Sequence, residues 1–305
     1  MYARQENAVT GALGYTGKYI ARRLLALGES VKTLTGHPHR PNPFGDRISV
    51  SPFDFDPPDR LVESLRGVRT LYNTYWARFA HGEATFERAI ANTKKLVQAA
   101  ATASVQRLVH ISITNPSPDS PLPYFRGKAE LEQTIRGCGL SHAIVRPTVI
   151  FGDEDILINN IAWLLRHSPV FVVPGRGDYH LQPVFVEDVA RIAVECGRRE
   201  DNIVTDAVGP EVYTFGKLVR LIAKAVNSRA AIVRAPRGVP LLVGRVIGWV
   251  KRDTLVTRDE LAGLMANLLV SSEPPRGATR LSDWLRERAD SIGRRYASEL
   301  RRHFD

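Results

Sequence analysis

A glycine-rich segment near the start of the chain limits the fold more than any other feature, because it separates a short apolar stretch from a helical pattern. Residues 10–17 read Thr-Gly-Ala-Leu-Gly-Tyr-Thr-Gly. Between a strand and a helix, Gly11 permits a tight turn, Gly14 lets a pyrophosphate approach the backbone, and Gly17 lets the helix pack closely. The first N–H groups of that helix attract the anion. Three glycines also occur in ordinary turns, but this context favours a dinucleotide phosphate loop, which Leu13, Tyr15 and Thr16 would also line.

The first half of the chain alternates between apolar, β-rich stretches and helical patterns. The predicted strands lie near residues 7–10, 30–35, 48–53, 68–75, 106–113 and 142–149, and the predicted helices at 17–27, 58–66, 83–103 and 124–137. Strands separated by helices favour a parallel sheet covered on both faces. Right-handed crossovers then produce a doubly wound α/β fold that binds its ligand at the carboxyl ends of the strands.

The alternation loosens after residue 150. Helical patterns follow near residues 156–165, 188–196, 215–226, 258–270 and 280–300, with one short strand at 171–173. We therefore predict two domains: a nucleotide-binding core at 1–150, and an interleaved, smaller substrate lobe with a helical C-terminal tail at 151–305.

The composition excludes several classes of protein. Hydrophobic residues make up 44% of the 305 residues, and no apolar run approaches the ~18 residues that a membrane span requires. The net charge of +10 comes from scattered arginines without interleaved aromatic residues, so we expect no nucleic-acid partner. Two cysteines without metal-ligand spacing, and no visible secretory signal, favour the cytoplasm. An apolar segment with basic flanks at 239–252 is either a buried helix of the smaller lobe or a peripheral membrane contact.

A tyrosine and a lysine four residues apart form the second motif. Tyr124 and Lys128 lie at the start of the helix at 124–137 and project from one helix face. The ammonium favours phenolate, so the tyrosine can exchange a proton with a substrate hydroxyl while a nicotinamide exchanges the hydride. The preceding strand ends in two hydroxyl residues, Ser112 and Thr114, where a parallel sheet presents catalytic groups. The pair is either catalytic or, as often happens by chance, a surface pair.

These motifs, in this order, resemble the extended or atypical branch of the short-chain dehydrogenase/reductase superfamily, which implies a Rossmann fold and an NAD(P) cofactor. The glycine loop matches its Thr-Gly-x-x-Gly-x-x-Gly motif, and Tyr124 with Lys128 its Tyr-x-x-x-Lys motif. Further matches are Asp54-Phe55, Asn92, Arg146-Pro147-Thr148-Val149-Ile150-Phe151-Gly152 and the segment from Gln182 to Ala190. The resemblance covers residues 5–225. It implies further cofactor contacts from Asp54, Phe55, Asn73, Thr74, Tyr75, Pro147 and Val149.

Within this branch, the chain is most similar to the group that contains the nucleotide-binding accessory subunit of respiratory complex I. Some members of that group hold a nicotinamide nucleotide without known turnover. The chain departs from the family's serine run, so the active hydroxyl is either Ser112 or Thr114. Epimerases have Ala-Gly after the fourth strand, and here the bulkier Trp76 either narrows the pocket or packs under the loop. We expect His110 to be a packed sheet residue rather than a base.

The choice between NAD and NADP depends on the end of the second strand. An acidic residue there would bind the ribose 2′-hydroxyl and favour NAD. This chain has Thr35 instead, and no carboxylate follows before Arg40. Because Arg40 and His37 attract a 2′-phosphate, we expect NADP to be favoured over NAD.

These observations favour an NAD(P)-dependent oxidoreductase or epimerase-like enzyme that acts on a hydroxyl or carbonyl of a small organic substrate. The alternative is a non-catalytic NAD(P)-binding redox sensor, or an assembly or accessory protein of a respiratory complex. In either case we expect a monomer or a homodimer.

Overall fold

The computed structural model of the protein describes residues 6–77, 82, 84–236, 238, 253 and 257–298. It divides the chain into two compact units, Met1–Pro147 with Val189–Ala207, and Thr148–Asp188 with Val208–Asp305. The chain thus leaves the first unit after Pro147. It returns there for one segment before completing the second unit.

The first unit is built on a seven-stranded sheet in which every neighbouring pair is parallel. Its strands are β1 (Glu6–Thr10), β2 (Val31–Thr35), β3 (Ile48–Pro52), β4 (Val68–Asn73), β5 (Arg107–Ile111), β6 (Ser141–Pro147) and β11 (Ile203–Ala207), in the order β11-β6-β5-β4-β1-β2-β3. The order reverses between β1 and β4. In doubly wound sheets, such a reversal opens a crevice at the carboxyl ends of the two strands, where ligands bind.

Helices connect these strands and bury their apolar faces on the sheet. They are α1 (Thr16–Ala26), α2 (Pro58–Leu65), α3 (Phe86–Thr102) and α4 (Pro123–Gly137), with α6 (Val186–Gly197) leading to β11. Leu61 and Leu65 of α2 and Leu96 of α3 join a buried cluster with Leu71 and Leu108 of the sheet. Burying a side chain of this size stabilises a fold by roughly 1.5–3 kcal/mol.

The second unit combines short strands with four described helices around its own core. The strands are β7 (Val149–Phe151), β8 (Val170–Pro174), β9 (His180–Leu181), β10 (Pro183–Phe185), β12 (Tyr213–Thr214) and β13 (Ala231–Ala235). The helices are α5 (Leu157–His167), α7 (Phe215–Ala225), α8 (Arg258–Met265) and α9 (Leu281–Glu287). Phe151, Leu165, Phe171, Leu218 and Trp284 are buried together in this core.

The structure confirms the doubly wound parallel fold, and the six strands expected before residue 150 are present. The prediction missed β11, the seventh strand, and it extended the tail helix at 280–300 beyond Glu287, where α9 ends. The segment at 239–252 lies outside the described residues. Among the residues that the structure describes, no helix is long and apolar enough to cross a membrane.

Candidate functional site

The glycine loop connects β1 to α1 and is held by hydrogen bonds of its own backbone. Gly11 has a φ of +68°, a left-handed conformation that a side chain would strain. Gly14 N–H donates to the Gly11 carbonyl at 2.9 Å, and Ala12 N–H donates to Thr33 Oγ1 at 3.0 Å. Thr33 Oγ1 in turn donates to the Val9 carbonyl, which ties the loop to β2.

The start of α1 packs directly against the glycine loop. A Cβ at Gly17 would lie 2.5 Å from the Gly11 carbonyl oxygen, so only glycine allows the helix to approach the loop this closely. Tyr15 precedes the helix and makes no side-chain cap hydrogen bond to it. Because an uncapped helix N-terminus attracts phosphate, these residues fit the pyrophosphate of a dinucleotide. Leu13 and Thr16 belong to the same turn.

Side chains also join the ends of β1 and β4, the two strands at which the strand order reverses. Thr10 Oγ1 accepts hydrogen bonds from the backbone N–H groups of Thr74 (2.8 Å) and Tyr75 (3.1 Å). It donates to Asn73 Oδ1 at 3.2 Å, and Thr74 Oγ1 donates to the Thr10 carbonyl at 2.6 Å. The predicted cofactor residues Asn73, Thr74 and Tyr75 therefore form one fixed segment beside the glycine loop.

Three aromatic side chains meet beyond the ends of β3 and β4. The rings of Phe53 and Phe55 lie 5.2 and 5.5 Å from that of Tyr75, centroid to centroid. Asn92 Nδ2 donates to the Tyr75 hydroxyl at 3.1 Å, so Asn92 supports this aromatic group. Asp54, between the two phenylalanines, forms an exposed ion pair with Arg60.

The end of β2 presents no carboxylate. Thr35 Oγ1 accepts a hydrogen bond from His37 N–H at 3.0 Å, which fixes the turn after the strand. Arg40 N–H donates to the His37 carbonyl at 3.2 Å, so the arginine belongs to the same turn. Hydrogen bonds to His37 thus link Thr35 and Arg40 at the end of β2, the strand that pairs with β1.

Lys128 is buried inside the unit. Its Nζ donates to the Ile111 carbonyl at 2.9 Å and lies 4.5 Å from the centre of the Trp76 ring. Only 2% of the residue is exposed, and this burial lowers the pKa of Lys128 to about 7, although the nearby charge of Glu132 opposes the shift. Tyr124, one helical turn earlier, contacts the Trp76 ring edge-on at 5.5 Å.

Both candidate hydroxyls donate to carboxylates. Ser112 Oγ donates to Glu132 Oε1 at 2.6 Å, and Thr114 Oγ1 donates to Asp206 Oδ2 at 2.9 Å. Arg146 binds both oxygens of Glu132 through Nε and a terminal nitrogen, at 2.9 and 2.5 Å. This ion pair raises the pKa of Arg146.

His110 is fully buried in β5 and is held as the neutral imidazole. Because Asn73 Oδ1 accepts from Tyr75 N–H, the Asn73 amide nitrogen faces His110 Nδ1, at 3.0 Å. Nδ1 therefore accepts, and the hydrogen lies on Nε2. Burial, and secondarily the charge of Lys128, hold the pKa of His110 well below its usual value.

Two further site residues lie beyond α4. Pro147 ends β6, and its carbonyl accepts from Thr114 N–H at 3.0 Å, whereas Val149 begins β7 in the second unit. The sequence reasoning did not identify Glu132 or Asp206. Glu132 had a signal, since it lies four residues after Lys128 on the same helix face. Asp206 had none, because it lies on the strand that was not predicted.

A comparison with known protein families assigns the chain to one of them. A family model described as NAD(P)H-binding matches residues 11–196. Because this match covers more than half of the chain, the protein belongs to the NAD(P)H-binding family, within the extended short-chain dehydrogenase/reductase branch that its motifs indicate.

One relative and two solved structures illustrate the range of similar proteins. The chain is 26% identical over 262 residues, 83% of its length, to the mitochondrial NADH-ubiquinone oxidoreductase 40 kDa subunit of Neurospora crassa, of which it covers 68%. Its fold is similar to that of MoeE5 in complex with UDP-glucose and NAD (TM-score 0.64, 21% identity, 76% of this chain and 87% of that chain). It is also similar to the Citrobacter sp. triphenylmethane reductase complexed with NADP(H) (TM-score 0.73, 15% identity, 93% and 99%).

Proposed function

We propose that this chain holds a nicotinamide dinucleotide at its glycine loop without turning it over, as a redox sensor or an accessory or assembly protein. The observation that carries the proposal is that the donors around Tyr124 and Lys128, here called the Tyr-Lys region, are already hydrogen-bonded within the protein. Ser112, Thr114 and Lys128 all donate to acceptors inside the protein, at Glu132, Asp206 and the Ile111 carbonyl.

The hydroxyl donors matter most, because each has a single hydrogen to give. A hydroxyl that polarises a substrate carbonyl must donate to it, and the hydrogens of Ser112 and Thr114 are already directed at carboxylates. The Glu132 carboxylate is itself fixed by Arg146, so Ser112 cannot rotate away without leaving a charged acceptor less satisfied. The similarity to a subunit of an NADH-ubiquinone oxidoreductase supports an accessory role.

We also propose that the nucleotide is NADP rather than NAD. Thr35 stands where an NAD-binding protein has a carboxylate, and the next charged side chain along this turn is Arg40, a cation that suits a 2′-phosphate. The nucleotide would lie along Gly11–Gly17, with Asn73–Tyr75 and the Phe53–Phe55 aromatic group beside it.

A second candidate function is catalysis by Tyr124 and Lys128, as an NAD(P)-dependent oxidoreductase or epimerase-like enzyme. It is favoured by the placement of both side chains on one face of α4, in contact with the same indole ring. A bound nicotinamide would supply or accept a hydride. Tyr124 would exchange the proton with the substrate oxygen, and Lys128 would stabilise the phenolate.

The substitution Tyr124→Phe separates the two functions. It preserves the ring and its packing on Trp76 but removes the hydroxyl. We expect no effect on NADPH affinity in calorimetry and no turnover by either protein on a panel of carbonyl and sugar-nucleotide substrates. A wild-type turnover that falls by about 10²–10⁴-fold in the variant would instead establish catalysis.

A further inference from the structure

Trp76 lies directly over the lysine of the Tyr-Lys motif. Its ring is 5.8 Å from that of Phe86 and nearly parallel to it, and Lys128 Nζ lies 4.5 Å from its centre. A Cβ added to Gly127 would come within 3.0 Å of the indole, which shows that the ring rests against the backbone of α4. The indole therefore fills the space between α3, α4 and the lysine.

This arrangement shields the ammonium of Lys128 from any ligand. One hydrogen of the ammonium is used by the Ile111 carbonyl, and the indole covers the group from another side. Since only 2% of the residue is exposed, no ligand atom can approach Nζ while Trp76 stays in place. Burial also favours the uncharged amine, as the lowered pKa of Lys128 indicates.

The backbone that carries Trp76 is fixed, but its side chain is incompletely satisfied. The two preceding residues, Thr74 and Tyr75, donate their backbone N–H groups to Thr10. The indole Nε1–H is buried, and within the part of the chain that the structure describes it meets no hydrogen-bond acceptor. An unpaired buried donor is unfavourable, so outward rotation of the indole about its own side-chain bonds, which would return Nε1–H to water, costs less than it would for a fully hydrogen-bonded side chain.

We infer that Trp76 controls access to Lys128: a ligand can contact the ammonium only when the indole rotates away from it. Trp76 is therefore a specificity-determining residue of this site. It excludes ligands from the lysine in its closed position and admits them in its open one. The inference does not depend on whether the bound nucleotide is turned over.

Lysine labelling tests this control directly. The full-length protein is treated briefly with an amine-acetylating ester at neutral pH, and acetylation of Lys128 is measured by peptide mass spectrometry against the exposed Lys217 as internal reference. We expect Lys128 to be labelled far more slowly than Lys217 in the wild-type protein. In Trp76→Ala, labelling of Lys128 should rise about tenfold or more, because it no longer waits for a local opening. Trp76→Phe, with its smaller ring, should give an intermediate increase.

Amide hydrogen exchange across α4 provides the control for folding. Exchange should be unchanged in Trp76→Phe. The labelling of that variant therefore still reports on access to Lys128 even if Trp76→Ala loosens the helix. Rapid labelling of Lys128 in the wild-type protein, or equal labelling in all three proteins, would overturn the inference. So would an increase that is matched by faster exchange along the whole of α4. No nucleotide is present in the assay, so its outcome is independent of the proposed nucleotide binding.

Discussion

The glycine loop and the Tyr-Lys region belong to the same unit, but they differ in whether their hydrogen-bond donors are paired within the protein. At the loop, α1 begins without a side-chain cap, and a helix N-terminus of this kind attracts an anion. Around Tyr124, the hydroxyls of Ser112 and Thr114 and the ammonium of Lys128 are paired within the protein and buried. The loop is built to receive an anion, whereas the second region is built to be stable.

This contrast shows that a sequence motif can be present while the side chains around it form internal hydrogen bonds instead of contacting a ligand. The glycines still have the conformations and close contacts that phosphate binding requires. Ser112 now belongs to a network that links α4 to β6 through Glu132 and Arg146.

The largest effect should come from Gly14→Val. A Cβ at Gly14 would lie 3.2 Å from the Gly11 carbonyl oxygen, and the two methyl groups of valine would extend towards the position of the pyrophosphate. We expect calorimetry to detect no NADPH binding. The matched control is Gly137→Ala at the end of α4, where an added Cβ meets nothing within 4 Å. Undiminished affinity in a folded Gly14→Val protein would remove the loop as the nucleotide site.

The second prediction concerns the Glu132 network. Glu132→Gln removes the charge that pairs with Arg146, in a pair whose side chains are 4% and 25% exposed. We expect the free energy of unfolding to fall by about 2–3 kcal/mol, less than the 3–5 kcal/mol of a fully buried pair, because Arg146 is partly solvated. Glu130 lies on the same helix as Glu132 and forms a half-exposed ion pair with Lys94 of α3. Glu130→Gln breaks that pair and should change stability by less than about 1 kcal/mol. Equal effects in urea denaturation would contradict the role assigned to the network.

The third prediction concerns the nucleotide. If Arg40 binds a 2′-phosphate, Arg40→Ala should weaken NADPH binding by about 1.5–2 kcal/mol, roughly 10- to 30-fold, and leave NADH binding nearly unchanged. Arg66→Ala, an exposed arginine paired with Glu63, is the control. A wild-type protein that prefers NADH would show that the absence of an acid at Thr35 does not decide the cofactor here.

The fold was largely predictable because its first six strands follow local rules. Each is a short apolar stretch, all but the second are followed by a helical pattern, and the glycine loop fixes which strand comes first. β11 does not follow these rules, because residues 148–188, which belong to the other unit, separate it from β6 along the chain. Its Ile-Val-Thr-Asp-Ala sequence is also only partly buried, except at its last residue.

The candidate site was predictable as a set of motifs but not as a set of contacts. Tyr124 and Lys128 could be placed on one helix face from their spacing alone. The partners that decide what these groups do are distant in sequence: Asp206 lies 92 residues from Thr114. Trp76 was noted as bulky, but only the packing of α3 on α4 shows that its ring covers Lys128.

The smallest effect, when it is expressed per pH unit, should be a pH dependence of stability that arises from Lys128. Its pKa is about 7 in the folded protein, well below its usual value of 10.5 in an unfolded chain. Between these values the unfolded chain binds a proton that the folded chain does not, so stability should increase as the pH rises from about 7 towards 10. Lys128→Met lacks this group. The difference in unfolding free energy between wild type and variant should therefore change by about 1 kcal/mol per pH unit in favour of the wild type. A difference that stays constant over this range would mean that Lys128 keeps its proton, and that the indole of Trp76 stabilises a buried ammonium.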